Sequence, residues 1–102
     1  MKEQKQKEVE EAVSWFCKEL EGRETYLDLE ELAAVLTEKG FEVDIYPPVI
    51  HWDPVEGVRT TTVIVSVAKG EAVSEFEARF VRVLSEMPPL MYWEVLRPEE
   101  EE

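Results

Sequence analysis

The chain has 102 residues, 44% of them apolar, with 24 Asp and Glu against 11 Lys and Arg for a formal net charge of −13. That is the length of one domain able to bury its own core, and so large an acidic excess excludes nucleic acid and anionic membranes as direct partners, because both need a cationic footprint. The single cysteine, Cys17, excludes an intramolecular disulfide, and no apolar run approaches the ~20 residues of a membrane-spanning helix.

The opening residues 1–7 carry Lys, Glu and Gln in place of the apolar segment of a signal peptide, which points to a soluble, cytoplasmic protein. There is no asparagine, and the glutamines are Gln4 and Gln6 alone. Depletion of heat-labile amides beside abundant glutamate is a compositional mark of thermophile proteins.

Residues 3–20 have helical periodicity, with Val9, Ala12, Val13, Phe16 and Leu20 on one stripe. Gly22 ends that helix, and a short connector follows. A second helix is expected from Asp28 as N-cap, with Glu31 completing a capping box and Leu27 against Leu32 as a hydrophobic staple. Its apolar stripe is Leu29, Leu32, Ala33, Val35 and Leu36. Gly40 suits the left-handed position that closes the helix, with Phe41 folding back on Leu36.

Residues 41–46 alternate strictly, Phe41, Val43 and Ile45 on one side and Glu42, Asp44 and Tyr46 on the other. Pro47 and Pro48 interrupt the extended run, which resumes over 49–52; prolines of this kind belong at a sheet edge. The turn Asp53-Pro54-Val55-Glu56-Gly57 leads into the longest β-branched stretch of the chain, 60–68, which reads as the central strand. If the turn closes a hairpin, His51 or Trp52 lies near Val58 or Arg59, and Tyr46 near Ile64. Residues 71–86 place Val73, Phe76, Phe80, Val83, Leu84 and Met87 at helical spacing, and 90–96 alternate as a last strand.

The expected fold is therefore α+β, a two-layer sandwich in the order α-α-β-β-α-β. It has a three-stranded mixed sheet, a right-handed parallel crossover through the third helix, and helices mainly on one face. Residues 1–98 form the single domain and 99–102 a disordered acidic tail. The face away from the helices would hold Glu42, Asp44, Tyr46, Ile64, Ser66, Tyr92 and Glu94, unless the first helix crosses to cover it.

Catalytic signals are weak. His51-Trp52-Asp53 brings a histidine and a carboxylate together without a nucleophile, and Cys17 sits beside Phe16 where a small buried hydrophobe is needed. No Cys/His cluster has metal-ligand spacing, and no Gly-rich phosphate loop occurs, so no cofactor or metal is expected. The chain reads as a non-enzymatic interaction protein. Spaced carboxylates on a rigid scaffold can occupy a basic protein's nucleic-acid groove, as in antitoxins, immunity proteins and phage- or virus-encoded anti-defence inhibitors. The candidate partner-binding residues are Glu42, Asp44, Tyr46, Trp52, Asp53, Glu56, Glu24 and Asp28, with Trp52 and Tyr46 as anchors. The alternatives are a subunit that docks or dimerises through its open sheet face, and a small-ligand module near Tyr46, Tyr92 and Trp93.

Overall fold

In the computed structural model, which describes residues 2–96, the chain runs α1 (Lys2–Glu21), α2 (Asp28–Glu38), β1 (Glu42–Ile45), β2 (Val49–Asp53), β3 (Val58–Lys69), β4 (Ala72–Val83) and β5 (Leu90–Leu96). The strands form one five-stranded antiparallel sheet in the order β1-β3-β4-β5. β2 also pairs with β3, further along the edge that β1 occupies. Pro47 and Pro48 separate the two short strands, at an edge where their missing N–H groups cost the ladder little.

The alternation of β3 sorts the molecule into two sides. Val63, Val65 and Val67 are buried, and the register sets Ala78 opposite Val63, Phe76 and Ile45 opposite Val65, and Val43 opposite Val67. Against this row lie Val9, Ala12, Val13, Phe16, Cys17 and Leu20 of α1 and Leu29, Leu32 and Leu36 of α2, making one continuous core. Each fully buried Val, Leu or Phe contributes about 1.5–3 kcal/mol relative to exposure. Phe16 meets Phe76 edge-on, with ring centroids 5.2 Å apart.

The connector between the helices is tied to the sheet by aromatic groups. Trp93 is 3% exposed, and its indole N–H donates to the Thr25 carbonyl at 3.0 Å. Tyr26 stacks on Trp93 and meets Phe80 edge-on. These contacts end the helical layer at the Phe80–Trp93 row. At about 3.4 Å per residue the twelve-residue strands β3 and β4 are about 40 Å long, whereas the twenty-residue α1 is about 30 Å. The sheet outruns its helices, and the molecule measures 51 Å along its longest axis.

The main correction to the sequence expectation is β4. Residues 72–83 are a strand, so the element order is α-α-β-β-β-β-β, the sheet has five antiparallel strands, and there is no parallel crossover. The core-facing row of β4 is Ala72, Ser74, Phe76, Ala78 and Phe80, in which small and polar residues dilute the apolar signal. Val73, Val81 and Val83 lie in the other row. The two sets together imitate three- and four-residue spacing. Gly70 has φ +61° in the two-residue turn between Lys69 and Ala72, which pair directly, and among the described residues only glycines have positive φ. Glycine at the first turn position is the type II′ hairpin signal.

Smaller corrections concern α2. The expected Asp28/Glu31 capping box does not form, and the helix has no side-chain N-cap bond; Asp28 Oδ2 instead caps the turn that precedes it, accepting from the Thr25 backbone N–H at 3.2 Å and from its hydroxyl at 3.0 Å. Leu27 is 67% exposed, so the staple with Leu32 does not form, and Val35 stands at the surface. The C-terminus closes as expected. The Phe41 N–H donates to the Leu36 carbonyl and the Gly40 N–H to that of Thr37, the two bonds of a Schellman motif, with Gly40 at φ +99°. The acidic tail, 99–102, lies outside the described residues.

Two consequences are measurable. Gly40→Val forces a β-branched residue into a left-handed conformation and is expected to cost about 1 kcal/mol or more, read from the denaturant midpoint. The second concerns Glu8, whose Oε1 accepts from Lys69 Nζ at 2.8 Å. That bond, with a weaker one from Gln4, holds its carboxyl below the ordinary glutamate range. A carboxylate lowered by folding stabilises above its unfolded pKa, and the contribution disappears as pH falls through the folded value. Glu8→Gln should lower the melting temperature at neutral pH, and the gap to the parent should close below about pH 4. A gap that persists in acid would assign the effect to packing.

Candidate functional site

The side of the sheet away from the helices is built by the even-numbered residues of β3 and their partners. Asp44, Ser66 and Glu75 stand in one cross-strand row, Ile64, Glu77 and Leu96 in the next, and Val49, Thr62, Arg79 and Glu94 in the one after. His51, Thr60, Val81 and Tyr92 follow, and Glu42 lies opposite Ala68 at the near end. Neither helix reaches this side, because both pack on the Val63–Val67 row. Ser66, set between Asp44 and Glu75, and Val81, set between Thr60 and Tyr92, are nevertheless buried.

The electrostatics of this face are one-sided. Arg79 bonds Glu77 from both Nε and Nη2 at 2.9 Å, which neutralises that pair locally. Glu42, Asp44, Glu75 and Glu94 remain as charges on adjoining strands. The Tyr46 hydroxyl donates to Glu75 Oε2 at 3.3 Å, so an aromatic ring that is 43% exposed is held beside the acidic row. Strand backbones fix the spacing of these groups, so little order remains to be imposed when they meet a complementary surface.

The residues singled out from the sequence fall into separate places. Glu42, Asp44 and Tyr46 share the open face, as the alternation requires, and Tyr46 donates its N–H to the Ile64 carbonyl. Trp52 pairs with Arg59 on the helical side of the sheet, beyond the end of the helices, and is 47% exposed. It cannot anchor a partner seated on the acidic face. Asp53 closes the β2–β3 hairpin, its Oδ1 accepting from the amides of Val55 and Glu56. Glu56 is exposed in that turn, and its carbonyl accepts from the Ser85 hydroxyl. Glu24 is exposed in the interhelical connector, whereas Asp28 is 9% exposed and committed to Thr25 and Arg23. The aromatic trio near Tyr46 is also divided, since Trp93 is buried in the core while Tyr92 lies on the open side.

Glu75, Glu77 and Arg79 are part of the face and were hidden by the helical reading of 71–86. The Lys69-Gly70-Glu71-Ala72 turn was the signal that could have found them. Of the other chemistry-bearing groups, one is exposed and one buried. His51 lies opposite Thr60, and Cys17 is fully buried beneath the sheet. Among the described residues no group of three or more His, Cys, Asp or Glu side chains could hold a metal ion, and no helix is long and apolar enough to cross a membrane.

Asp28→Ala separates a capping role from a binding one. It should destabilise the fold by about 1 kcal/mol through loss of the Thr25 bonds, and leave affinity for a partner unchanged in the folded fraction; a loss of affinity at full folding would return Asp28 to the binding surface. Compared with known proteins, the chain matches no family model, no curated protein and no solved structure at a significant level.

Proposed function

We propose that this is a non-enzymatic binding protein that docks the uncovered side of its sheet on a basic partner protein. It would occlude a Lys/Arg-lined surface in the manner of an antitoxin, an immunity protein or an anti-defence inhibitor. The observation that carries the proposal is the row Asp44–Ser66–Glu75, flanked by Glu42 and Glu94. It consists of carboxylates on rigid neighbouring strands, with Tyr46 tied to Glu75 and no helix above them. Like-charged faces repel, so a heterologous cationic surface suits this side better than a second copy does.

A net charge of −13 extends the attraction beyond the contact itself. The Debye length shrinks from about 10 Å at 0.1 M salt to about 3 Å at 1 M, so association should slow as salt rises while dissociation changes less. Tyr46 and Tyr92 supply aromatic area on this face, and Trp52, on the other side, contributes nothing to it.

The test is capture from native host extract with the wild-type chain and two variants. A basic protein should be retained by wild type, released by raised salt, lost with Asp44→Lys/Glu75→Lys and kept with Trp52→Ala. Its association rate with the double reversal should fall by about tenfold or more. Capture that survives both the reversal and high salt would contradict the proposal.

A further inference from the structure

The helical side of the sheet has its own uncovered end, and its chemistry is the opposite of the acidic face. Beyond the Phe80–Trp93 row, the next row across the strands reads Trp52, Arg59, Arg82 and Met91. Arg59 and Arg82 are direct cross-strand neighbours, an arrangement that is destabilising for like charges. Neither has an ion pair or a side-chain hydrogen bond among the described residues, and the Nε of Arg82 is buried without a partner. The chain has 24 acidic residues, yet among the described residues none forms an ion pair with either arginine.

Both arginines border a hollow of about 280 Å³ whose remaining walls are Tyr26, Pro48, Ile50, Thr61 and Phe80. Ile50 is 61% exposed, an apolar side chain left at the rim of an apolar floor. Burial, and secondarily the nearby Glu30 carboxylate, raise the Tyr26 phenol above its ordinary value. The hollow is slightly smaller than the ~300–1,000 Å³ typical of sites for drug-sized ligands, which limits it to about one ring or a short acyl chain.

We propose that this hollow binds a small organic anion, a carboxylate or phosphate head on an apolar body. The head would lie between Arg59 and Arg82, and the body against Phe80, Ile50 and Tyr26. A planar guanidinium matches either oxoanion with paired N–H donors. The bound anion would cancel the repulsion across β3 and β4. The site is separate from the acidic face and stands or falls independently of it.

Isothermal titration and amide NMR shifts test the proposal on the full chain with phenyl phosphate and phenylacetate as probes, and inorganic phosphate and phenethylamine as controls. At least one aryl anion should bind with millimolar affinity or better, shifting the amides of Ile50, Arg59 and Arg82. Arg82→Met should weaken it by about tenfold or more while holding or raising the melting temperature, since it removes an unpartnered buried donor. Asp44→Lys/Glu75→Lys should leave this binding in place. The proposal is overturned if neither aryl anion binds by about 10 mM, if phenethylamine or inorganic phosphate binds as well, or if Arg82→Met leaves affinity unchanged. A fall in melting temperature with Arg82→Met would overturn it too, by making the guanidinium a structural group.

Discussion

Everything in this molecule depends on the pairing of β3 with β4 along their whole length. Twelve residues of each strand are in register from Val58–Val83 to Lys69–Ala72, closed by the tight turn at Gly70. Because side chains alternate, that register decides at once which groups meet the helices and which meet solvent, and a slip of one residue would exchange the two sets. Val63, Val65, Phe76 and Ala78 then form the floor on which α1 and α2 pack. Ser66, Glu75, Glu77 and Arg79 are turned the other way by the same pairing.

Two uncovered surfaces follow from one geometric fact, that the helical layer is smaller than the sheet. On the far side neither helix packs, and the rows carry Glu42, Asp44, Glu75 and Glu94. On the near side the helices stop at the Tyr26, Phe80 and Trp93 cluster, leaving Arg59 and Arg82 beyond them. A sheet whose faces differ in charge can engage chemically distinct ligands without the two sites competing. The central strand is stabilised by its core contacts whichever is occupied, so neither surface has to carry the fold.

Much of this was legible in the residues. The stripe of α1, the Schellman closure at Gly40, the hairpin at Asp53–Gly57, the edge prolines and the central strand all appear where local chemistry puts them. Glu42, Asp44 and Tyr46 share a face because a strand has a period of two. What was illegible came from β4, whose core-facing row sets the small residues Ala72 and Ser74 before Phe76 and Ala78 between Phe76 and Phe80. Small inward residues erase alternation from a hydrophobicity pattern, and tertiary packing then decides between helix and strand. The arginine pair was hidden for the same reason, since Arg59 and Arg82 become neighbours only once β4 is a strand. Asp28 was read both as the helix N-cap and as a partner-binding carboxylate; its bonds to Thr25 and Arg23 depend on how the interhelical connector folds, which local sequence does not specify.

The most direct test of the account is a set of nuclear Overhauser contacts on the uniformly labelled chain. Side chains of α1 and α2 should show contacts to Val63, Val65, Phe76 and Ala78 and none to Ile64, Glu75 or Glu77, with cross-strand contacts joining 58–69 to 72–83. Helical amide–amide contacts through 72–83, or any contact from a helix to Ile64 or Glu75, would contradict the one-sided sheet on which both binding surfaces rest.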